Sequence, residues 1–143
     1  ADPDCVVYYR APLRRHTAAS EFSLAGVERM PLVDVLYVHA GCRSGLAEAA
    51  LAAGARGIVI AGSGAGSSGN LAAEINAIVE AKRAVVVQSS RVGEGRVLRE
   101  NNWSEPGMVA ADNLPPHKAA LLLSLALLKT SDPDAVQTFF DTY

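Results

Sequence analysis

GIVIAGSGAGSSGN, residues 57–70, decides the fold. An apolar run, Ile58-Val59-Ile60, enters a loop of Gly, Ala and Ser, and a helical pattern follows at once in Leu71-Ala72-Ala73-Glu74-Ile75. Strand, glycine turn and helix in that order form the repeating unit of a parallel α/β sheet. Within the loop, Gly64, Gly66 and Gly69 spell G-x-G-x-x-G.

The same alternation extends on both sides. Residues 32–40, LVDVLYVHA, read as an apolar strand, and SGLAEAALAAG at 44–54 as a helix closed by Gly54 at the C′ position. Residues 69–82 read as a second helix with Leu71, Ile75, Ile78 and Val79 on one face. AVVVQSS at 84–90 is a third strand, 91–107 is irregular, and GMVAA at 107–111 is a short fourth strand. Pro115 and Pro116 open a helix expected to reach Lys129, since proline is tolerated in a first turn. Asp132-Pro133 starts a last helix that ends near Tyr143. Helical crossovers between strands are right-handed and make the sheet parallel. Helices on both faces then explain strands that are apolar without alternation. The stretch 116–129 is apolar almost all round, which predicts deep packing. The expected fold class is α/β, a small doubly wound parallel sheet of about four strands flanked by helices, Rossmann-like.

Residues 1–31 differ. CVVYYRAP at 5–12 reads as a short strand, and the polar RRHTAASEFS at 14–23 reads as a linker wrapping a surface. The expected division is therefore 1–31, a strand and linker, and 32–143, one α/β domain.

Composition narrows the function classes. Of 143 residues, 50% are hydrophobic, enough for a substantial core, and the formal net charge is −2. Basic residues are scattered rather than striped, which argues against a nucleic-acid partner. Arg10, Arg14, Arg15 and His16 form the densest basic cluster and read as a solvated segment. Cys5 and Cys42 make neither a metal spacing nor a disulfide framework. The apolar run from Ala119 to Leu128 is interrupted by Ser124 and falls short of the ~20 residues that span a bilayer, so no membrane role is expected.

Three readings fit the glycine loop. As a nucleotide turn it lies correctly between strand and helix, where backbone N–H groups attract anions. The acid that would hold the ribose hydroxyls is missing, because the third strand ends in Gln88-Ser89-Ser90-Arg91. As a structural turn it lets helix and strand approach closely. As a substrate loop it offers Ser63, Ser67 and Ser68 at the carboxyl edge of the sheet, next to the stretch that carries Glu94, Glu100, Asn102 and Glu105. His16, His39 and His117 are isolated, and no Ser/His/Asp constellation or carboxylate pair has a telling spacing.

Several motifs in order then carry a resemblance. The segments Gly54–Gly66, Val86–Val92, Leu114–Ala119, Leu125–Asp132 and Val136–Tyr143 resemble the C-terminal region of type II bacterial L-asparaginases and glutaminase-asparaginases. Arg10, Pro12, Arg14, His16, Thr17 and Phe22 match that family's linker. The resemblance implies hydrolysis of L-asparagine, or of L-glutamine, to the acid and ammonia, with no cofactor. It implies a homotetramer in a bacterial periplasm or cytoplasm. Its catalytic threonines belong to a preceding domain with a TGGTI motif. Here Thr17, Thr130, Thr138 and Thr142 stand in no such context, so no catalytic residue is expected in this chain, nor activity from it alone. In the family, the C-terminal domain closes the neighbouring subunit's pocket around the substrate. The resemblance places one closing position on Ser67. Counting without gaps from the SSRV match places the second, a Glu in relatives, on Asn102, and Glu100 or Glu105 fills it in another register. The rival class is a stand-alone α/β module that binds a nucleotide or small polar ligand through Gly62–Gly69.

Overall fold

The computed structural model describes residues 17–99 and 107–143. Its elements run β1 (Val33–Tyr37), α1 (Leu46–Ala52), β2 (Gly57–Gly62), α2 (Ala72–Glu80), β3 (Val85–Ser90), β4 (Val109–Ala110), α3 (Pro116–Ala126) and α4 (Pro133–Thr142). All four strands are parallel, in the order β1-β2-β3-β4. Val35 pairs with Val59, which pairs with Val87, and Val87 with Val109, so side chains of like phase line up across the sheet.

Each face of the sheet closes a core. On one face Ile58, Ile60 and Val86 pack with Ile75, Ile78 and Leu71 from the α2 region and Ala47 from α1. On the other, Val59, Val87 and Val109 pack under Ala119, Leu122 and Leu123 of α3 and Val136 and Phe140 of α4. Every residue of β2 is buried, which accounts for its unalternated apolar sequence.

Four details differ from the sequence reading. The helix expected over 69–82 begins with a 3₁₀ turn at Gly69–Leu71 and becomes α-helical only at Ala72. The one expected over 116–129 leaves α geometry after Ala126. Its last turn tightens, with Leu128 N–H on the Leu125 carbonyl and Lys129 N–H on that of Ala126. That helix is also not buried all round, because Leu121 is 63% exposed. Finally, among the described residues β1 lies at the end of the sheet and alternates, with Val35 and Tyr37 exposed.

The described part of the linker is anchored by aromatic packing. The Phe22 ring lies 4.9 Å from that of Phe139 and 5.3 Å from that of Tyr143, and Ser20 and Tyr143 hydroxyls are 3.0 Å apart. Farther on, the Ser124 hydroxyl donates to the Pro31 carbonyl at 2.7 Å, fixing the entry to β1. Cys42 is buried, its thiol donating to the Tyr37 carbonyl, and Cys5 lies outside the described residues.

Candidate functional site

The glycine loop leaves β2 at its carboxyl end, the edge where open α/β sheets bind ligands. It turns back on itself at once. The N–H groups of Gly66 and Ser67 both donate to the Ser63 carbonyl at 3.0 Å. A Cβ on Gly62 would lie 2.3 Å from the Gly66 carbonyl carbon, so only glycine permits this approach of backbone to backbone. Gly66 has φ 93°, a conformation that side chains disfavour. Ser67 follows on the exposed shoulder, its hydroxyl accepting from the Gly69 N–H at 3.3 Å. Its neighbour Ser68 is buried, and its hydroxyl finds no partner among the described residues.

The end of β3 meets this loop. The Arg91 N–H donates to the Gly62 carbonyl at 2.9 Å, and the Ser90 hydroxyl donates to the Gly64 carbonyl at 2.6 Å. From the following stretch, Val97 packs against Gly66 and exchanges two backbone hydrogen bonds with Asp112. Asp112 also receives the Arg96 guanidinium, whose proton affinity is raised chiefly by the hydrogen bond it makes to that carboxylate.

A cleft of about 800 Å³ opens at the carboxyl edge, lined by Tyr37, Arg91, Asn113, Pro115, His117 and Tyr143 among others. The Arg91 guanidinium sits 5.6 Å from the centre of the Tyr37 ring, a cation–π contact between β3's exit and β1. Ser67 does not line this cleft. Asn102, Glu100 and Glu105 lie outside the described residues. Glu94 is exposed, as is Arg91. Among the described residues, no three His, Cys, Asp or Glu side chains gather as metal ligands. Sequence reading missed the contacts of Ser90 with Gly64 and of Val97 with Gly66. Each joins residues that pattern alone does not pair, although the Ser89-Ser90 dipeptide at a strand end was a signal.

Residues 32–140 match the family model described as the glutaminase/asparaginase C-terminal domain. The chain belongs to this family. It is 40% identical to L-asparaginase 2 of Bacillus subtilis over 141 residues, which cover 98% of the chain and 37% of that protein. It is 35% identical to the glutaminase-asparaginase of Acinetobacter glutaminasificans over 143 residues, covering 95% of the chain and 43% of that relative. Among solved structures, a probable cytoplasmic L-asparaginase from Campylobacter jejuni superimposes with a TM-score of 0.83 at 38% identity, covering 96% of this chain and 43% of that one. The chain thus spans well under half the length of these asparaginase relatives and aligns with their C-terminal portion. A probable periplasmic L-asparaginase of Haemophilus influenzae is 37% identical, so the relatives include both periplasmic and cytoplasmic proteins. No described helix is long and apolar enough to cross a membrane.

Proposed function

We propose that this chain is the C-terminal domain of an enzyme that hydrolyses L-asparagine, and L-glutamine as a second substrate, to the acid and ammonia. The observation that carries the reading is the glycine loop. Inside the family match, it holds Ser67 exposed at the carboxyl edge of the sheet on a backbone that only glycines can form. In this reading a threonine hydroxyl of a preceding domain attacks the side-chain amide carbonyl, an acyl-enzyme forms with loss of ammonia, and water releases the acid. Ser67 helps to hold the substrate's α-amino and α-carboxylate groups in the neighbouring subunit's pocket. Asn102 or Glu100 supplies the second contact, and an Asn there hydrogen-bonds the ammonium without the charge of a Glu. Such positioning lowers the barrier without breaking a bond. The assembled enzyme is a homotetramer of a bacterial periplasm or cytoplasm, and it needs no cofactor. Residues 1–31 serve as the strand and linker into the domain 32–143.

Joining the chain to the preceding domain of a family member and measuring ammonia release from L-asparagine tests this. Turnover is expected from the joined protein and none from the 143 residues alone. Ser67→Ala is expected to raise KM about fivefold with kcat nearly unchanged, the signature of a lost uniform binding contact. Tight binding of NADP to the chain, read by titration calorimetry, would favour the rival nucleotide module instead. Against that rival, the Ser90 hydroxyl at the end of the third strand is already engaged with Gly64 and with the Val92 N–H.

A further inference from the structure

The Ser67 side chain has no hold of its own on the sheet, and its backbone N–H donates to the Ser63 carbonyl within the same turn. Its side-chain hydrogen bond is local, to Gly69, and the turn before it contains Gly64 at φ 52° and Gly66 at φ 93°. A backbone of that composition deforms easily, because glycine loses the most freedom when it is ordered. Something must hold the turn if Ser67 is to meet a substrate in one place.

Beyond the turn's own hydrogen bonds to the Ser63 carbonyl, two contacts do so, one from Ser90 at the end of β3 and one from Val97 beyond it. The half-buried Ser90 hydroxyl donates to the Gly64 carbonyl at 2.6 Å and accepts from the Val92 N–H at 3.1 Å, so both its proton and a lone pair are used. The buried Val97 side chain lies 3.1 Å from where a Cβ would sit on Gly66. Val97 is in turn tied to Asp112 by two backbone hydrogen bonds of 3.0 Å. The turn is thus gripped on either side of Ala65, at Gly64 by a hydrogen bond and at Gly66 by packing.

We propose that Ser90 is a positioning residue: its hydroxyl clamps the Gly64 carbonyl and so sets where Ser67 meets the substrate. The proposal rests on the asparaginase reading for its consequence in catalysis, but not for the clamp itself.

Two measurements separate the clamp from its use. In the first, amide hydrogen exchange of the 143-residue chain is compared for the unmutated protein, Ser90→Ala and Ser90→Thr. Residues 64–68 are expected to exchange about tenfold faster in Ser90→Ala, the factor set by one lost hydrogen bond, with β2 and β3 unchanged and Ser90→Thr close to the unmutated rate. Unchanged exchange at 64–68 overturns the clamp. Val97→Ala is a second variant, expected to loosen the same residues from the packing side. In the second measurement, the chain joined to its preceding domain is assayed on L-asparagine. Ser90→Ala is expected to raise KM with kcat held within about twofold, with Ser90→Thr restoring KM and with little further effect in a Ser67→Ala background. Equal falls in kcat and protein stability, or full additivity with Ser67→Ala, overturn the positioning role. Absence of turnover by the unmutated joined protein sinks the asparaginase reading and the substrate role with it, while the exchange result still decides the clamp.

Discussion

A single methyl group is enough to test the glycine loop. On Gly62 it would overlap the backbone of Gly66 and Ser67, at 2.3 to 2.7 Å, and backbone cannot swing aside as a flexible side chain can. Gly62→Ala is therefore expected to lower stability by at least about 2 kcal/mol, read by urea denaturation. Lys82 shows the opposite case. It ends α2 in the left-handed region at φ 52°, with its N–H on the Val79 carbonyl and that of Arg83 on Ile78. Gly54 closes α1 with the same pair of hydrogen bonds, its own N–H on Leu51 and that of Ala55 on Ala50. Lys82→Gly is expected to stabilise by roughly 0.5–1 kcal/mol, relief of strain outweighing the added freedom of the unfolded chain. At this scale legibility was uneven. Gly54 could be read as a helix stop because glycine advertises its conformation, whereas Lys82 adopts the same geometry with no residue type to announce it. Ser67 lies on the loop that the strand–glycine–helix order predicts at the sheet's edge, whereas the partners of Ser90, Val97 and Asp112 are distant in sequence and left no local pattern.

The helices are tied to one another by polar contacts more than their short lengths suggest. The Glu74 carboxylate of α2 accepts from the Gly45 N–H at 2.7 Å and the Glu48 N–H at 2.8 Å, capping α1 from another element. Arg83 grips Glu48 with two hydrogen bonds of 2.6 and 2.8 Å. These bonds, more than the charge itself, hold the Glu48 carboxyl below its ordinary range. A carboxyl with a lowered folded-state pKa contributes stability above its unfolded value, about 4.3, and loses it as pH falls through the folded value. Glu48→Gln should therefore have melting temperatures that fall less steeply than those of the unmutated chain below pH ~4.3. Both residues are exposed, so a modest difference is expected, and smaller at high salt. The edge at β4 depends on one side chain. Gln137 of α4 accepts from the Ala110 N–H at 2.8 Å and donates to the Ala110 carbonyl at 3.2 Å, replacing a fifth strand. Gln137→Leu leaves both buried groups unpaired and is expected to cost ~2 kcal/mol or more by denaturant titration. Strands were legible as elements because full burial writes an unbroken apolar run. Helix limits were less so, since the Leu-rich stretch after Ala126 continues the apolar pattern while the backbone tightens.

Across the whole molecule the two ends of the sheet are treated differently. At β4 the edge is covered by α4 through Gln137. At β1 the end strand turns Val35, 41% exposed, and Tyr37, 57% exposed, outward on the face that α3 shares, and α3 adds Leu121 at 63%. The sequence spelled a parallel sheet with helices on two faces but could not tell which apolar residues lack a cover, because covered and uncovered Val, Tyr and Leu read alike. An end strand with apolar outward residues invites association. The relatives are more than twice as long as this chain, and in the enzyme proposed above a preceding domain would cover such surface. Taken alone, the 143-residue chain is therefore expected to self-associate, its weight-average mass in analytical ultracentrifugation rising with concentration. Tyr37→Lys combined with Leu121→Lys should return it toward the monomer, since charge on an apolar patch opposes its burial, while the buried cores on both faces of the sheet are left intact. A chain that stays monomeric at the highest attainable concentration would show that this face is too small to drive contact, and would remove the argument that β1 and α3 await a neighbour.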